Sequence, residues 1–202
     1  HTYRLYSNVK DTSHLKPAPE EKTVYTAIFG PYEKLKEPRI ISKGWKYICY
    51  TDQPLKSKVW EIRQVKRRHE DPRREARMYK TLFYQYTETE FSLWIDASFL
   101  IQCNLHDFWK RMYKGPFTAP QHPIRNCVYA EIEAAYTAGR GGCELIHEQG
   151  EYYRSLGIPE KNGIITSGVL LRQRTPQVMA LCEAWWNETN KWSLRDQVSF
   201  AN

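Results

Sequence analysis

One carboxylate interrupts a strongly apolar stretch of the sequence. Asp96 lies inside the run SLWIDASFLI, residues 92–101, and Ser98 follows it by two positions. Alternate side chains of a strand point to the same face, so this spacing places Asp96 and Ser98 on one side. Because an unpaired buried carboxylate is costly, Asp96 either meets a ligand at a strand end or accepts backbone N–H groups in a following turn. The spacing leaves both interpretations open.

Three further residues with useful chemistry stand near the ends of predicted strands. Gly30, Asp52 and His122 each close a stretch that is rich in β-branched and aromatic residues. In open α/β sheets, ligands bind beyond the carboxyl ends of the strands. We therefore expect these residues to lie near Asp96 in space. His122 is a candidate metal or phosphate ligand, although a lone histidine is more often structural.

A cationic stripe runs along one predicted helix. Arg73, Arg77 and Lys80 recur at helical spacing within and just after the run VKRRHEDPRREAR, residues 65–77. Such a stripe can clamp a pyrophosphate, or it can be an ordinary solvated helix face. The dense positive charge also suits nucleic acid, but the sequence contains no nucleic-acid-reading motif and its aromatic residues fall at core spacing. A phosphate ligand is therefore the stronger prediction.

A second carboxylate lies near the end of the sequence. Ser193 and Asp196, in SLRDQVSF, have the spacing of a capping box at a helix start. An acid in that place is stabilised as an anion by the helix dipole. Asp196 is thus better suited to binding a metal or a hydroxyl group than to acting as a base of raised pKa.

Strands and helices alternate along the sequence and must position these residues. The predicted strands cover residues 23–30, 45–52, 59–66, 92–101, 116–122 and 163–173. Four predicted helices begin at Pro72, near residue 105, at residue 128 and at Pro176, and a fifth ends at about Ser155. The helix that begins at Pro176 has an apolar stripe of Val178, Leu181, Cys182 and Trp185. This alternation predicts an α/β fold with a central, mostly parallel sheet flanked by helices.

Composition limits the organisation of the chain. With 202 residues, 41% of them hydrophobic, the sequence predicts one globular domain at 23–202, preceded by a polar arm at 1–22. The chain begins without Met and stops inside a predicted helix, so we expect it to be a piece of a longer protein. The net charge of +7 predicts anionic ligands, among which charge alone does not choose.

Cysteine content and hydropathy predict the cellular setting. The five cysteines are scattered and form no CxxC pair, which argues against a disulfide framework or a zinc site. No apolar stretch approaches the roughly 20 residues that span a bilayer, so no transmembrane segment is predicted. A cytoplasmic location follows as the expectation.

Seven motifs in order resemble those of a known family. They are TVYTAIFGPYEKL, YICYTD, DPRREARMYK, LWIDASFLI, HPIRNCVYAE, TSGVLLRQ and WSLRDQVSF. The set, which covers residues 23–202, is similar to a family of glycosyltransferase-like domains from bacterial polysaccharide loci, plant mucilage synthesis and large viruses. The chain also resembles the N-terminal glycosyltransferase domain of a large chlorella-virus protein that glycosylates the capsid, and for a viral protein the expected location is the host cytoplasm. The resemblance implies a single GT-A-type, Rossmann-like domain.

The resemblance also implies roles for individual residues. The donor-binding residues would contact the base and ribose, the diphosphate or the transferred sugar; they are Thr26, Ala27, Phe29, Gly30, Asp52, Arg77, Lys80, Asp96, Ala97, Ser98, Ser167, Gly168 and Gln197. The WIDAS segment takes the place of an Asp-x-Asp motif, with Ser98 where the second acid usually stands. Mn²⁺ or Mg²⁺ is therefore an expected cofactor, with Asp96, Ser98 and His122 as candidate ligands.

The resemblance implies transfer of a hexose or deoxyhexose from a nucleotide-sugar, with UDP-sugars favoured, to a hydroxyl of a glycan or glycoprotein. An inverting reaction would need a carboxylate base, for which Asp196 is the first candidate and Glu131 the second. A retaining reaction needs no such base. The alternatives are a catalytically silent domain that binds nucleotide-sugars or glycans and, less favoured, a basic nucleic-acid-binding domain.

Overall fold

The computed structural model describes residues 3–5, 21–139, 142 and 144–201. The strands among them are β1 Tyr3–Leu5, β2 Lys22–Ile28, β3 Trp45–Thr51, β4 Glu61–Gln64, β5 Phe91–Ile95, β6 Phe99–Ile101, β7 Phe117–Thr118 and β8 Val169–Gln173. The α-helices are α1 Pro72–Thr81, α2 Leu105–Met112, α3 Val128–Thr137, α4 Ile146–Ser155, α5 Pro176–Lys191 and α6 Asp196–Ser199. Most of the predicted arm lies outside the described residues, and its boundary at residue 22 stays a prediction.

The central sheet has six strands in the order β4-β3-β2-β5-β8-β7. Strands β4, β3, β2 and β5 run parallel, whereas β8 is antiparallel to both of its neighbours. The predicted mostly parallel α/β sheet is therefore confirmed. Because of these directions, the carboxyl ends of β2 to β5 and of β7 lie at the same edge as the start of β8. We call this edge the carboxyl edge.

The apolar run at 92–101 forms two strands rather than the single strand that was predicted. β5 ends at Ile95 and is central, as its composition indicates, because β2 and β8 pair with it on either side. The chain then turns through residues 96–98, where Phe99 N donates to Asp96 O at 2.9 Å. β6 follows and pairs with β1 in a separate two-stranded parallel sheet. Asp96 thus lies at the carboxyl end of β5, at the start of a turn.

Two other predicted strands are shorter than the sequence pattern suggests. The pattern at 163–173 forms a strand only from Val169, so Gly168 lies just before β8 and not within it. The pattern at 116–122 forms only Phe117–Thr118 and one isolated bridge between Gln121 and Ile165. The residues before β8 therefore form a loop at the carboxyl edge.

Two helices on one face of the sheet begin where local signals predict. Asp71 accepts a hydrogen bond from Arg73 N at 2.8 Å and caps α1, which starts with Pro72. Thr175 caps α5 in the same way. The stripe predicted for α5 is wrong at Leu181, which is 40% exposed, because the helix buries only the residues directly facing the sheet. Among the described residues, no helix combines the length and the apolarity needed to cross a bilayer.

Candidate functional site

The ammonium group of Lys80 lies between two carboxylates at the carboxyl edge. Its Nζ is 3.0 Å from Asp96 Oδ1 and 2.9 Å from Asp196 Oδ2, and it donates to Ser167 Oγ at 3.3 Å. Only 2% of the Lys80 side chain is exposed. These four residues, here called the Lys80 cluster, join α1, the end of β5, the loop before β8 and α6. The predicted donor-binding residues Lys80, Asp96 and Ser167 are thereby brought together with Asp196.

Helix α1 and strand β8 hold Lys80 in place. Lys80 lies in the last turn of α1, where the backbone carbonyls favour a positive charge. Arg172 of β8, which is fully buried, donates to Lys80 O at 2.6 Å and to the Tyr25 hydroxyl at 2.5 Å. The Lys80 ammonium also lies 5.6 Å from the centre of the Trp94 ring, within range of a cation–π attraction. The backbone and side chain of Lys80 are therefore both fixed.

Asp96 combines internal contacts with an opening to solvent. Its Oδ1 accepts from Trp94 Nε1 at 2.8 Å in addition to facing Lys80, yet 38% of the side chain remains exposed. Its backbone N donates to Gly168 O at 2.9 Å. A Cβ atom added at Gly168 would lie 2.9 Å from the Phe99 ring and 3.4 Å from Asp96 Oδ2. A glycine at this position therefore permits the close approach of the loop before β8 to Asp96.

Asp196 is a buried anion and not a helix cap. Its side chain is 2% exposed, and Arg77 Nε lies 3.5 Å from Oδ1 on the side opposite Lys80. Burial alone would raise the pKa of Asp196, but the charges of Lys80 and Arg77 hold it well below its usual range. The predicted capping box is wrong, because Ser193 Oγ instead donates to Gln149 Oε1 at 2.7 Å.

The ends of β2 and β3 meet beside an open groove. Gly30 N donates to Asp52 Oδ1 at 3.0 Å, and Arg67 Nε lies 2.9 Å from Asp52 Oδ2. Gly30 has a φ of +64°, and an added Cβ would lie 3.0 Å from Pro72 Cγ, so the backbone passes close to the start of α1. The groove has a volume of about 650 Å³ and is lined by Asp52 and residues 64–70. We call it the cationic groove.

Four predicted donor-binding residues lie at the end of β2 and directly after it. The side chains of Thr26, Ala27 and Phe29 are buried in the core and do not face the groove. Gly30 is the residue of this segment that is less buried and adjoins Asp52. The signal that distinguishes Gly30 is its place at the end of the strand, directly before Pro31.

His122 and Glu131 belong to a separate cluster of charges. Glu131 is 1% exposed, and its oxygens lie 2.6 Å from Arg195 Nε and 2.5 Å from Arg125 Nε. His122 Nδ1 accepts from Ile124 N and Arg125 N, and its Nε2 lies 3.7 Å from Glu131 Oε2. Burial and Arg125 lower the pKa of His122. These contacts count against His122 as a metal ligand and against Glu131 as a base.

The structure places two further predicted residues beside Asp96. Ala97 is buried, and the backbone oxygen of Ser98 accepts a hydrogen bond from Lys36 Nζ. Within the described part of the chain, no group of three or more His, Cys, Asp and Glu side chains is arranged to hold a metal ion. Asp96 is the one carboxylate among the three predicted metal ligands, and its side chain is partly exposed. An ion at Asp96 would need further oxygen atoms from a bound ligand or water.

The cationic run at 65–77 is largely engaged within the protein. Arg67 pairs with Asp52, Arg73 with Asp71 and Arg77 with Asp196, and Arg74 donates to Asn190. The predicted stripe is thus not a solvated helix face. Internal pairing leaves fewer of these cations for the many phosphates of a nucleic acid, which counts against the nucleic-acid-binding alternative, whereas a single diphosphate needs only a few partly exposed cations.

Sequence comparison gives an independent indication of the family. Residues 48–202 match a protein family described as TOD1/MUCI70, glycosyltransferase-like domain. The chain is similar to a probable hexosyltransferase MUCI70 of Arabidopsis thaliana, with 24% identity over 209 residues. The match covers 88% of this chain and 36% of that protein, so the chain spans about a third of the length of this relative.

Removing the Lys80 ammonium should destabilise the fold. Lys80→Met leaves Asp196 buried without its nearest cation, so we expect the free energy of unfolding to fall by about 3–5 kcal/mol in urea denaturation. Lys110→Met, an exposed position on α2, is the matched control and should change it by less than about 0.5 kcal/mol. Equal effects of the two substitutions would contradict the ion-pair geometry.

The lowered pKa of Asp196 predicts a specific dependence of stability on pH. Asp196 stays ionised in the native state at pH values where an unfolded aspartate, with a pKa of about 3.9, binds a proton. Its contribution is therefore present above about pH 4 and is lost as the pH falls further. We expect the melting temperature of the Asp196→Asn variant to change less than that of the wild type between about pH 5 and pH 2. Parallel melting curves would show that Asp196 is not paired as described.

Proposed function

Because the chain belongs to the TOD1/MUCI70 glycosyltransferase-like family, we propose that it transfers a hexose or deoxyhexose from a nucleotide-sugar, with UDP-sugars favoured, to a hydroxyl of a glycan or glycoprotein. The observation that carries the proposal is the position of the Lys80 cluster. It places the half-exposed Asp96 at the carboxyl edge, on the same edge as the cationic groove. Ligands of open α/β sheets bind at this edge.

The charges around the site suit a leaving diphosphate. When an acceptor hydroxyl attacks the anomeric carbon, the departing nucleoside diphosphate gains negative charge, which nearby cations stabilise. In this proposal the nucleotide lies in the cationic groove beside Asp52, and Arg77, which is 29% exposed, faces the diphosphate. Lys80 is enclosed by its own partners, so its role is to orient Asp96 and Asp196 and not to touch the donor.

We propose that a divalent metal would bind at this site through a single protein carboxylate. The contacts described for Asp96 engage Oδ1, which leaves Oδ2 as the oxygen for Mn²⁺ or Mg²⁺. Mg²⁺ commonly binds one or two carboxylates together with substrate phosphates and water. A bound ion would neutralise charge on the diphosphate. Ser98 would stand next to the ion, in place of the second acid of the motif.

The contacts of the two predicted bases bear on the stereochemistry. Asp196 has a lowered pKa and Glu131 is held by two guanidinium groups, so neither is well prepared to accept a proton. We propose that neither acts as the base, which favours a retaining reaction.

A cytoplasmic location and the resemblance to the viral domain stay predictions.

A catalytically silent binding domain is the second candidate. It is favoured by Ser98 at the position of an acid and by the complete enclosure of Lys80. Such a domain would bind a nucleotide-sugar without releasing the sugar from it. Hydrolysis of the donor therefore separates the two candidates.

Nucleotide-sugar binding is testable by thermal shift. We expect a UDP-sugar with Mn²⁺ to raise the melting temperature, because it binds only the native state, whereas a short DNA duplex should not. Asp96→Asn should abolish the Mn²⁺-dependent part of the shift and keep the fold, since the amide oxygen can still accept from Trp94. The matched control is Glu183→Gln, an exposed position on α5.

The outcomes distinguish the candidates. Donor hydrolysis that depends on Asp96 would support a transferase, and binding without hydrolysis would support the silent domain. No shift with UDP-, GDP- or TDP-sugars, together with a salt-sensitive shift by the duplex, would overturn the proposal.

A further inference from the structure

A second cavity lies at the carboxyl edge, on the other side of the Lys80 cluster from the cationic groove. Its volume is about 340 Å³, near the lower end of the range of roughly 300–1,000 Å³ typical of small-molecule sites. Its walls include Gln121 from the segment after β7, Asn162 and Ile165 from the segment before β8, and Gln197 and Phe200 around α6. We call it the amide pocket.

The walls of the amide pocket are held in place by neighbouring structure. Thr166 N donates to Pro120 O at 2.8 Å, and His122 N donates to Ile164 O at 2.8 Å, so the two loop segments are joined on either side of the pocket. The Phe200 ring packs against Phe117 and Trp185, with ring centres 5.2 and 4.9 Å apart. The pocket is therefore formed before a ligand arrives.

The lining of the amide pocket differs in charge from the rest of the surface. None of the described residues that line it is charged, although the chain carries 30 Lys and Arg and 23 Asp and Glu. Its polar side chains are the amides of Gln121, Asn162 and Gln197, and Ile165 and Phe200 are among its apolar residues. The cationic groove, by contrast, includes Lys66, Arg67 and Arg68, which outnumber its two acidic residues, Asp52 and Glu70. The two cavities are thus suited to ligands of different charge.

Two short segments connect the amide pocket with the Lys80 cluster. Gln197 lines the pocket and directly follows Asp196, which faces Lys80 at 2.9 Å. Ile165 lines the pocket two residues before Ser167, which accepts from Lys80 at 3.3 Å. Consecutive Cα atoms are about 3.8 Å apart, so the pocket lining and the cluster are joined by one residue step of backbone on the α6 side and by two on the β8 side. According to the strand order, the cationic groove, the Lys80 cluster and the amide pocket follow one another along the carboxyl edge.

We propose that the amide pocket is the acceptor subsite and that it binds one uncharged sugar unit. Amide groups can donate to and accept from sugar hydroxyls, and apolar side chains can cover the C–H face of the ring. Gln197 Nε2 already donates to Ile165 O at 2.8 Å, which fixes this amide and leaves Oε1 as its acceptor for a ligand. A uronate would bring a carboxylate into a pocket whose described lining provides no cation for it. This inference rests on the proposed glycosyltransferase function and adds the chemical class of its acceptor.

Neutral and acidic methyl glycosides provide the test. With ¹⁵N-labelled protein, the methyl glycosides of glucose, galactose, xylose and rhamnose are the neutral probes, and methyl glucuronide is the acidic probe. We expect at least one neutral glycoside to shift the amide resonances of residues 162–165 and 197–201, and the glucuronide to leave them unchanged. The variant Gln121→Ala/Asn162→Ala should bind that glycoside about tenfold more weakly, through two lost hydrogen bonds.

Two controls separate this inference from the proposed function. Asn187→Ala removes an exposed amide on α5, outside the pocket, and should bind the glycoside as the wild type does. UDP-sugar binding should be the same in all variants, because the pocket and the cationic groove share none of their lining residues. Unmoved pocket resonances with every neutral glycoside, or equal weakening by both substitutions, would overturn the acceptor subsite. If the wild type itself binds no UDP-sugar, the proposed function is overturned instead.

Discussion

The candidate site depends on one buried ammonium group that is shared by two carboxylates. Transferring such charges out of water costs several kcal/mol per ion, and only close, well-directed pairing offsets it. Lys80 meets Asp96 and Asp196 at 3.0 and 2.9 Å, and Arg77 supplies a second positive charge to Asp196. Two cations thus balance two anions. The positions of α1, β5 and α6 relative to one another follow from this arrangement.

Charge is distributed unevenly along the carboxyl edge. The cationic groove lies at the ends of β3 and β4, the Lys80 cluster at the β5–β8 boundary, and the uncharged amide pocket between β7 and α6. An anionic donor and a neutral acceptor would therefore approach the cluster from opposite sides. Buried Arg172 keeps the end of α1 in place without facing either ligand.

Features with local causes could be predicted from the sequence, and features with distant causes could not. The start of α1 follows from Asp71 and Pro72 alone, and the central position of β5 follows from its apolar composition. The local sequence predicts a capping role for Asp196, whereas its actual partner, Lys80, is 116 residues away in sequence. Arg172 gave no signal within VLLRQ, since the carbonyl that it binds is 92 residues away. The predicted strands at 116–122 and 163–173 are longer than the observed ones for the same reason. The length of a strand depends on the strands that pair with it, and these can be distant in sequence.

The side-chain NMR signal of Lys80 tests the enclosure of its ammonium group most directly. In a ¹H–¹⁵N spectrum of lysine NH₃⁺ groups, an ammonium enclosed by Asp96, Asp196 and Ser167 should exchange its protons with water far more slowly than exposed lysines do. Its resonance should vanish in Lys80→Arg and shift when UDP-glucose and the diamagnetic ion Mg²⁺ are added, because the donor would contact Asp96. A Lys80 signal that exchanges as fast as those of surface lysines, or that does not respond to any nucleotide-sugar, would contradict the account.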